Sequence, residues 1–221
     1  MKKLLFGLIA TLFVINFSWG QIGSREFGKV HNELVLEYLK NNVSFDLNKV
    51  KMNDLINEFI RNFEIKYPNA ISENDKKKVL EIFKNYTFAS EFTYSGFLRE
   101  NKDSLLKNNE ISKNIYDFLS DTDSKNIDYE LIKSEISNYQ SIDGISSSDS
   151  FAFEVANSVA NSSNDLWNSN TGSVMNRNHC NGRIIISDTG AALMWFAVPA
   201  VSLIAGACSS LITAYADGHC R

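Results

Sequence analysis

The side chains that could do chemistry lie near the two ends of the sequence. His31 and Asn32 stand close to the start; His179-Cys180, Cys208 and His219-Cys220 stand close to the end. Three thiols cannot all pair within one chain. Cys208 lies inside an apolar run and is expected to be a buried thiol, whereas Cys180 and Cys220 flank that run in polar, glycine-containing stretches. A Cys180–Cys220 disulfide would close a loop of some forty residues, worth roughly 3–4 kcal/mol by loop entropy. It requires the two ends to come within about 7 Å, which one straight helix between them forbids. Reduced, unpaired thiols are the plain alternative. The two His-Cys dipeptides hold the atoms of a tetrahedral zinc site, but adjacent ligands point apart and the usual spacing leaves two to four residues between them. No metal ligand or cofactor-binding residue is therefore assigned.

His31 is followed about one turn later by Leu34, Val35 and Tyr38. That setting fits a half-buried, hydrogen-bonded histidine better than a base or a ligand. Glu33 and Glu37 are four apart and could share a helix face, most simply a solvated one. Asp121, Asp123 and Asp128 fall in SDTDSKNID, but Lys125, Asn126 and Ile132 occupy positions where a calcium loop needs an oxygen ligand, glycine and glutamate. Helix capping accounts for these acids better. No phosphate-binding glycine loop, G-x-S-x-G, H-E-x-x-H or paired C-x-x-C occurs. No catalytic residue is assigned, and the balance leans away from an enzyme.

Helices must position these residues. Phe27, Val30, Leu34 and Tyr38 recur at helical spacing and predict a helix over 27–41. Over 47–67, Met52, Leu55, Ile56, Phe59, Ile60, Phe63 and Tyr67 form one apolar face, and Pro68 stops the pattern. Ser72 is placed to cap the next helix, whose buried side is Val79, Leu80, Ile82, Phe83 and Tyr86. An aromatic stretch, 88–98, looks interrupted at Gly96. Short helices are expected over 110–119 and 128–139. The polar segment SIDGISSSDS, 141–150, is the best internal joint. Beyond it, 151–167 reads as a helix with a small-residue face (Ala152, Val155, Ala156, Val159, Ala160, Ser162, Ser163) that another helix could approach closely.

From Thr189 to Ala216 come 28 residues without a charge, bracketed by Asp188 and Asp217. As one helix they would extend about 42 Å, enough for a bilayer core of roughly 30 Å. Gly190, Ala191, Ala200, Gly206, Ala207 and Ser210 would permit close helix contacts there. Against a membrane span stand Pro199 inside the run, Trp195 and Phe196 in its middle, and a single basic residue after it. The alternative is a buried helix, or two half-helices broken near Pro199 and enclosed by the amphipathic helices upstream.

The first twenty residues read as a secretory signal peptide. Lys2 and Lys3 precede an apolar run from Leu4 to Phe17, and Ser18 and Gly20 suit a cut before Gln21. Cleavage would leave residues 21–221, expected to form one helical domain. The formal charge is −4, and loss of the two leader lysines makes it −6. A mildly acidic chain without a basic block argues against nucleic acid and against electrostatic docking on anionic lipid. Sequons at Asn42, Asn85 and Asn161 are discounted because the short lysine-led leader looks bacterial.

Gly28-Lys29-Val30-His31-Asn32-Glu33, with Leu36 and Tyr38, resembles the opening of an uncharacterised family of exported bacterial proteins whose mature forms enter a helix through G-x-x-H-N. Asp188-Thr189-Gly190-Ala191-Ala192 and Gly206-Ala207-x-x-Ser210 resemble that family's Gly/Ala-rich apolar ending. The resemblance implies export and no particular activity. It also implies that His31-Asn32 is a functional polar pair, read physically as fixing the first helix against a loop. The fold expected is all-α, an irregular helical bundle packed around an apolar C-terminal helix or hairpin. The function expected is a non-catalytic binding or structural protein, periplasmic, envelope-associated or secreted, with a protein or envelope component as partner. A membrane-active or membrane-anchored protein inserting 189–216 is the alternative, and an unrecognised hydrolase using His31 or His179 a third.

Overall fold

A computed structural model describes residues 22–42, 51–84, 94–124, 128–168 and 181–216. Among them are nine helices and no strand: α1 (Ser24–Asn41), α2 (Met52–Lys66), α3 (Glu73–Phe83), α4 (Tyr94–Lys107), α5 (Lys113–Ser124), α6 (Tyr129–Gln140), α7 (Ser147–Asn168), α8 (Asn181–Met194) and α9 (Pro199–Ala216).

The uncharged run is divided at Pro199. α8 ends at Met194, residues 195–198 turn, and Val198 N–H donates to Trp195 O at 2.9 Å. Pro199 opens α9, where its fixed φ suits a first helical residue and its missing N–H costs nothing. The two arms are antiparallel and stitched by small hydroxyls. Ser202 Oγ donates to Ala192 O at 3.0 Å, and Thr213 Oγ1 donates to Ser187 Oγ at 2.9 Å. These bonds satisfy buried polar groups that would otherwise be costly. No described helix is long and apolar enough to cross a membrane. Instead α9 packs on α1, α2 and α3, and α8 packs on α4, α5, α6 and α7, so every other described helix touches one arm of the hairpin.

The amphipathic stripes face that hairpin. Leu55, Ile56, Phe59 and Phe63 of α2 are buried, and Phe59 stacks on Tyr38 of α1 with ring centroids 5.1 Å apart. Phe118, Tyr139 and Phe153 tie α5, α6 and α7 together, each pair of rings 5.5 Å apart. Ser72 caps α3 in a capping box: its Oγ accepts from Asp75 N–H, and Asp75 Oδ2 accepts from Ser72 N–H, both at 3.1 Å. Ser72→Ala removes one of these acceptors and is expected to cost about 1 kcal/mol, lowering the melting temperature by roughly 2–4 °C in a thermal scan.

Three boundaries differ from the sequence reading. Gly96 does not interrupt α4; it lies in the first turn, where few intrahelical bonds depend on it, and the helix runs on to Lys107 with Leu105 buried. The joint at 141–150 is shorter than its composition suggests. The turn occupies 141–146, with Gly144 at φ +76°, and Ser146 Oγ accepts from Asp149 N–H at the start of α7. The apolar segment also starts earlier than its first uncharged residue: α8 begins at Asn181, and Ile184, Ile185 and Ile186 are already buried.

Candidate functional site

α1 and α7 run parallel in tight contact, and glycine sets the approach. A Cβ on Gly28 would lie 2.0 Å from Ser158 O, so only a residue without a side chain fits. The contact repeats along both helices. Ser24 Oγ donates to Glu154 Oε2 at 2.9 Å, Gly28 N–H to Ser158 Oγ at 3.0 Å, and Asn32 Nδ2 to Ser162 O at 2.5 Å. α7 packs on both α1 and α8; of the small residues foreseen on it, Ser162 meets Asn32 of α1 and Ser163 meets Asp188 of α8.

This seam leads inward to His31, which is 1 % exposed and whose Nε2 lies 3.7 Å from Asp188 Oδ2 on α8. Asp188, expected to mark a polar edge of the apolar run, is fully buried inside a helix. Its Oδ2 accepts from Ser163 Oγ of α7 at 2.5 Å and from Ser210 Oγ of α9 at 3.1 Å. His31 Nδ1 faces Asn32 Oδ1 at 3.3 Å, and the ring edge lies against Gly206 of α9, where a Cβ would sit 3.1 Å from Cδ2. Burial pushes the Asp188 pKa up to about 6, while His31, Ser163, Ser210 and Trp167 pull it back toward the usual range. His31 Nε2 and Asp188 Oδ1 are buried without a hydrogen-bond partner among the described residues.

The polar pair His31-Asn32 therefore fixes α1 against α7, α8 and α9, not against a loop. The residue types are those of a Ser-His-Asp machine, but the wiring is different. Both serines donate to the carboxylate, and neither is hydrogen-bonded to the imidazole that would have to activate it. Asp188, Ser163 and Ser210 are all sealed from solvent.

The other candidates are dispersed. Glu33 is engaged by Lys66 of α2 and by Lys29. Asp128 caps α6 by accepting from Leu131 N–H at 2.9 Å, as expected, whereas Asp121 lies within α5 and accepts from Tyr139 O–H at 3.0 Å. Cys208 is a buried free thiol, its pKa held well up by burial. Cys180, Cys220, His179, His219 and the leader at 1–20 lie outside the described residues. Among the described residues no three His, Cys, Asp or Glu side chains gather as a metal site.

Open to solvent beside the sealed cluster is a cleft of about 420 Å³ along the α1–α7 seam. Arg25, Glu154, Asn157, Ser158, Asn161 and Ser162 line it. The five α7 residues recur at spacings of three, one, three and one, one helix face over two turns. The sequon residue Asn161 is tied down here, its Oδ1 accepting from Tyr129 O–H at 2.6 Å. Two signals for this region were present in the sequence, the small face of α7 and Gly28 at the head of G-x-x-H-N. The pairing of His31 with Asp188 was missed, and its trace was a lone carboxylate beside an apolar run. No protein-family model matches the chain, and neither a curated protein nor a solved structure matches it.

Proposed function

We propose that this is an exported, non-catalytic binding protein that presents the α1–α7 cleft to a hydrogen-bonding ligand or envelope component. One observation carries the reading: the open cleft is lined by amides, hydroxyls, one arginine and one glutamate, while the His31–Asp188–Ser163 constellation is sealed from solvent. A rigid platform held by Gly28 and Asn32 suits binding, because little order has to be imposed when a ligand arrives.

The test uses protein expressed with its own leader, recovered after export and screened by thermal shift against sugars, amino acids and short peptides. One class is expected to raise the melting temperature; saturation at a hundred times Kd is worth about 2.7 kcal/mol. Asn157→Trp fills the cleft and is expected to abolish that shift while leaving the ligand-free melting temperature within about 1 °C, the ordinary range for a surface change. A panel that moves neither protein rejects the cleft. Turnover of an ester, amide or glycoside that disappears in a folded His31→Gln variant establishes the hydrolase reading instead. Retention in the membrane pellet after alkaline carbonate establishes the membrane-anchored one.

A further inference from the structure

The hydrogen bonds around His31 fix where its proton can be. Asn32 uses its amide N–H₂ toward Ser162 O, so the atom facing His31 Nδ1 is the amide oxygen, an acceptor. Nδ1 must then carry the hydrogen. In a neutral ring that leaves Nε2 as a bare lone pair, and 3.7 Å away stands Asp188 Oδ2, which already accepts from two hydroxyls. Two facing acceptors in a dry interior repel. One more proton relieves the conflict, as imidazolium facing carboxylate or as carboxylic acid facing the bare nitrogen, two forms of the same one-proton state.

We propose that the His31–Asp188 pair is a proton-operated clamp: one proton held between ring and carboxyl keeps α1 docked on the α8–α9 hairpin, and its release to solvent loosens α1. The clamp sits where α1, α7, α8 and α9 meet, so it bears on the seam and not on a single side chain. His31 of α1 is the titratable side chain facing Asp188; α7 presents Ser163 and Trp167 and α9 presents Ser210. Cys208 of α9, a buried thiol, stays protonated. The lift of Asp188 to about 6 by burial agrees with a carboxyl that keeps its proton well above the ordinary range.

The test is hydrogen exchange resolved by helix, corrected for the intrinsic pH dependence of exchange, from pH ~5 to pH ~8.5. Exchange across α1 is expected to rise by about tenfold or more over this range while α3 stays level, the mark of local opening. Asp188→Asn has no carboxyl proton to release, so its α1 exchange is expected to be flat. Nitrogen-resolved NMR of the imidazoles, with only three histidines in the chain, is expected to show His31 Nδ1 protonated throughout and any change confined to Nε2. This spectrum is read on the unaltered protein, so the test does not require the variant to fold. Level α1 exchange in the unaltered protein, the same rise in Asp188→Asn, or a ring protonated on Nε2 with Nδ1 bare would each overturn the clamp.

Discussion

Gly28→Ala is expected to lower the melting temperature by roughly 6–12 °C, equivalent to about 3 kcal/mol in a chain of this size. Helix propensity argues the other way, since alanine in place of glycine favours a helix by about 0.5–1 kcal/mol. Packing wins because of what the new methyl meets. It would lie 2.0 Å from Ser158 O, 2.5 Å from Ser158 C and 2.5 Å from Ser162 Oγ, and the first two are backbone atoms that cannot rotate aside. α1 and α7 must separate by more than an ångström. That breaks the Gly28–Ser158 and Asn32–Ser162 hydrogen bonds as well as overpacking the seam, and overpacking alone costs about 1–3 kcal/mol. Gly23→Ala is the control: nothing lies within 4 Å of its Cβ. It is expected to be neutral or slightly stabilising. Equal melting temperatures for the two variants would mean that α1 and α7 are not in contact as described.

Asp188→Asn is expected to remove a pH dependence worth about 3 kcal/mol. The folded-state pKa of about 6 stands above the ordinary 3.8, a difference of roughly two units at 1.36 kcal/mol each. The folded chain thus keeps a proton that the unfolded chain has already lost. The stability owed to this group is fully present below pH ~4, declines as pH rises, and is gone above pH ~6. Urea unfolding at pH ~4 and pH ~7.5 reads this directly, as a fall in midpoint with an unchanged slope. In Asp188→Asn the side-chain oxygen still accepts from Ser163 and Ser210, and the carboxyl that titrated is gone. At the higher pH the variant should match or exceed the parent. Two effects compete, desolvation of the carboxylate and its attraction to His31, and desolvation is the larger. A variant several kcal/mol weaker than the parent at that pH would reverse the order.

What was legible in the sequence was local. Six of the seven stripe residues in α2, the Ser72 cap, the stop at Pro68 and the break at Pro199 all depend on neighbours within a turn or two, and each is where the pattern put it. The all-helical class follows from those stripes. The candidate site was only half legible. His31 and Asn32 could be picked out, but periodicity says which face of a helix is apolar and not which other face it meets. Asp188 read as an edge because an isolated carboxylate next to an apolar run usually marks one. It is buried because α1 delivers His31, and α7 and α9 deliver hydroxyls, to the same point from distant parts of the chain. α4 was under-read because its glycine falls where a helix tolerates it.

The central hairpin has a consequence for how the chain is made. Residues 181–216 follow, in order of synthesis, every helix they touch. α1 to α7 therefore leave the ribosome before the surface that covers their apolar stripes exists, and early intermediates are left with unsheltered apolar faces. Contacts joining the first helix to the last also raise contact order and slow folding. The described bundle therefore stays without its centre until residues 181–216 have been made.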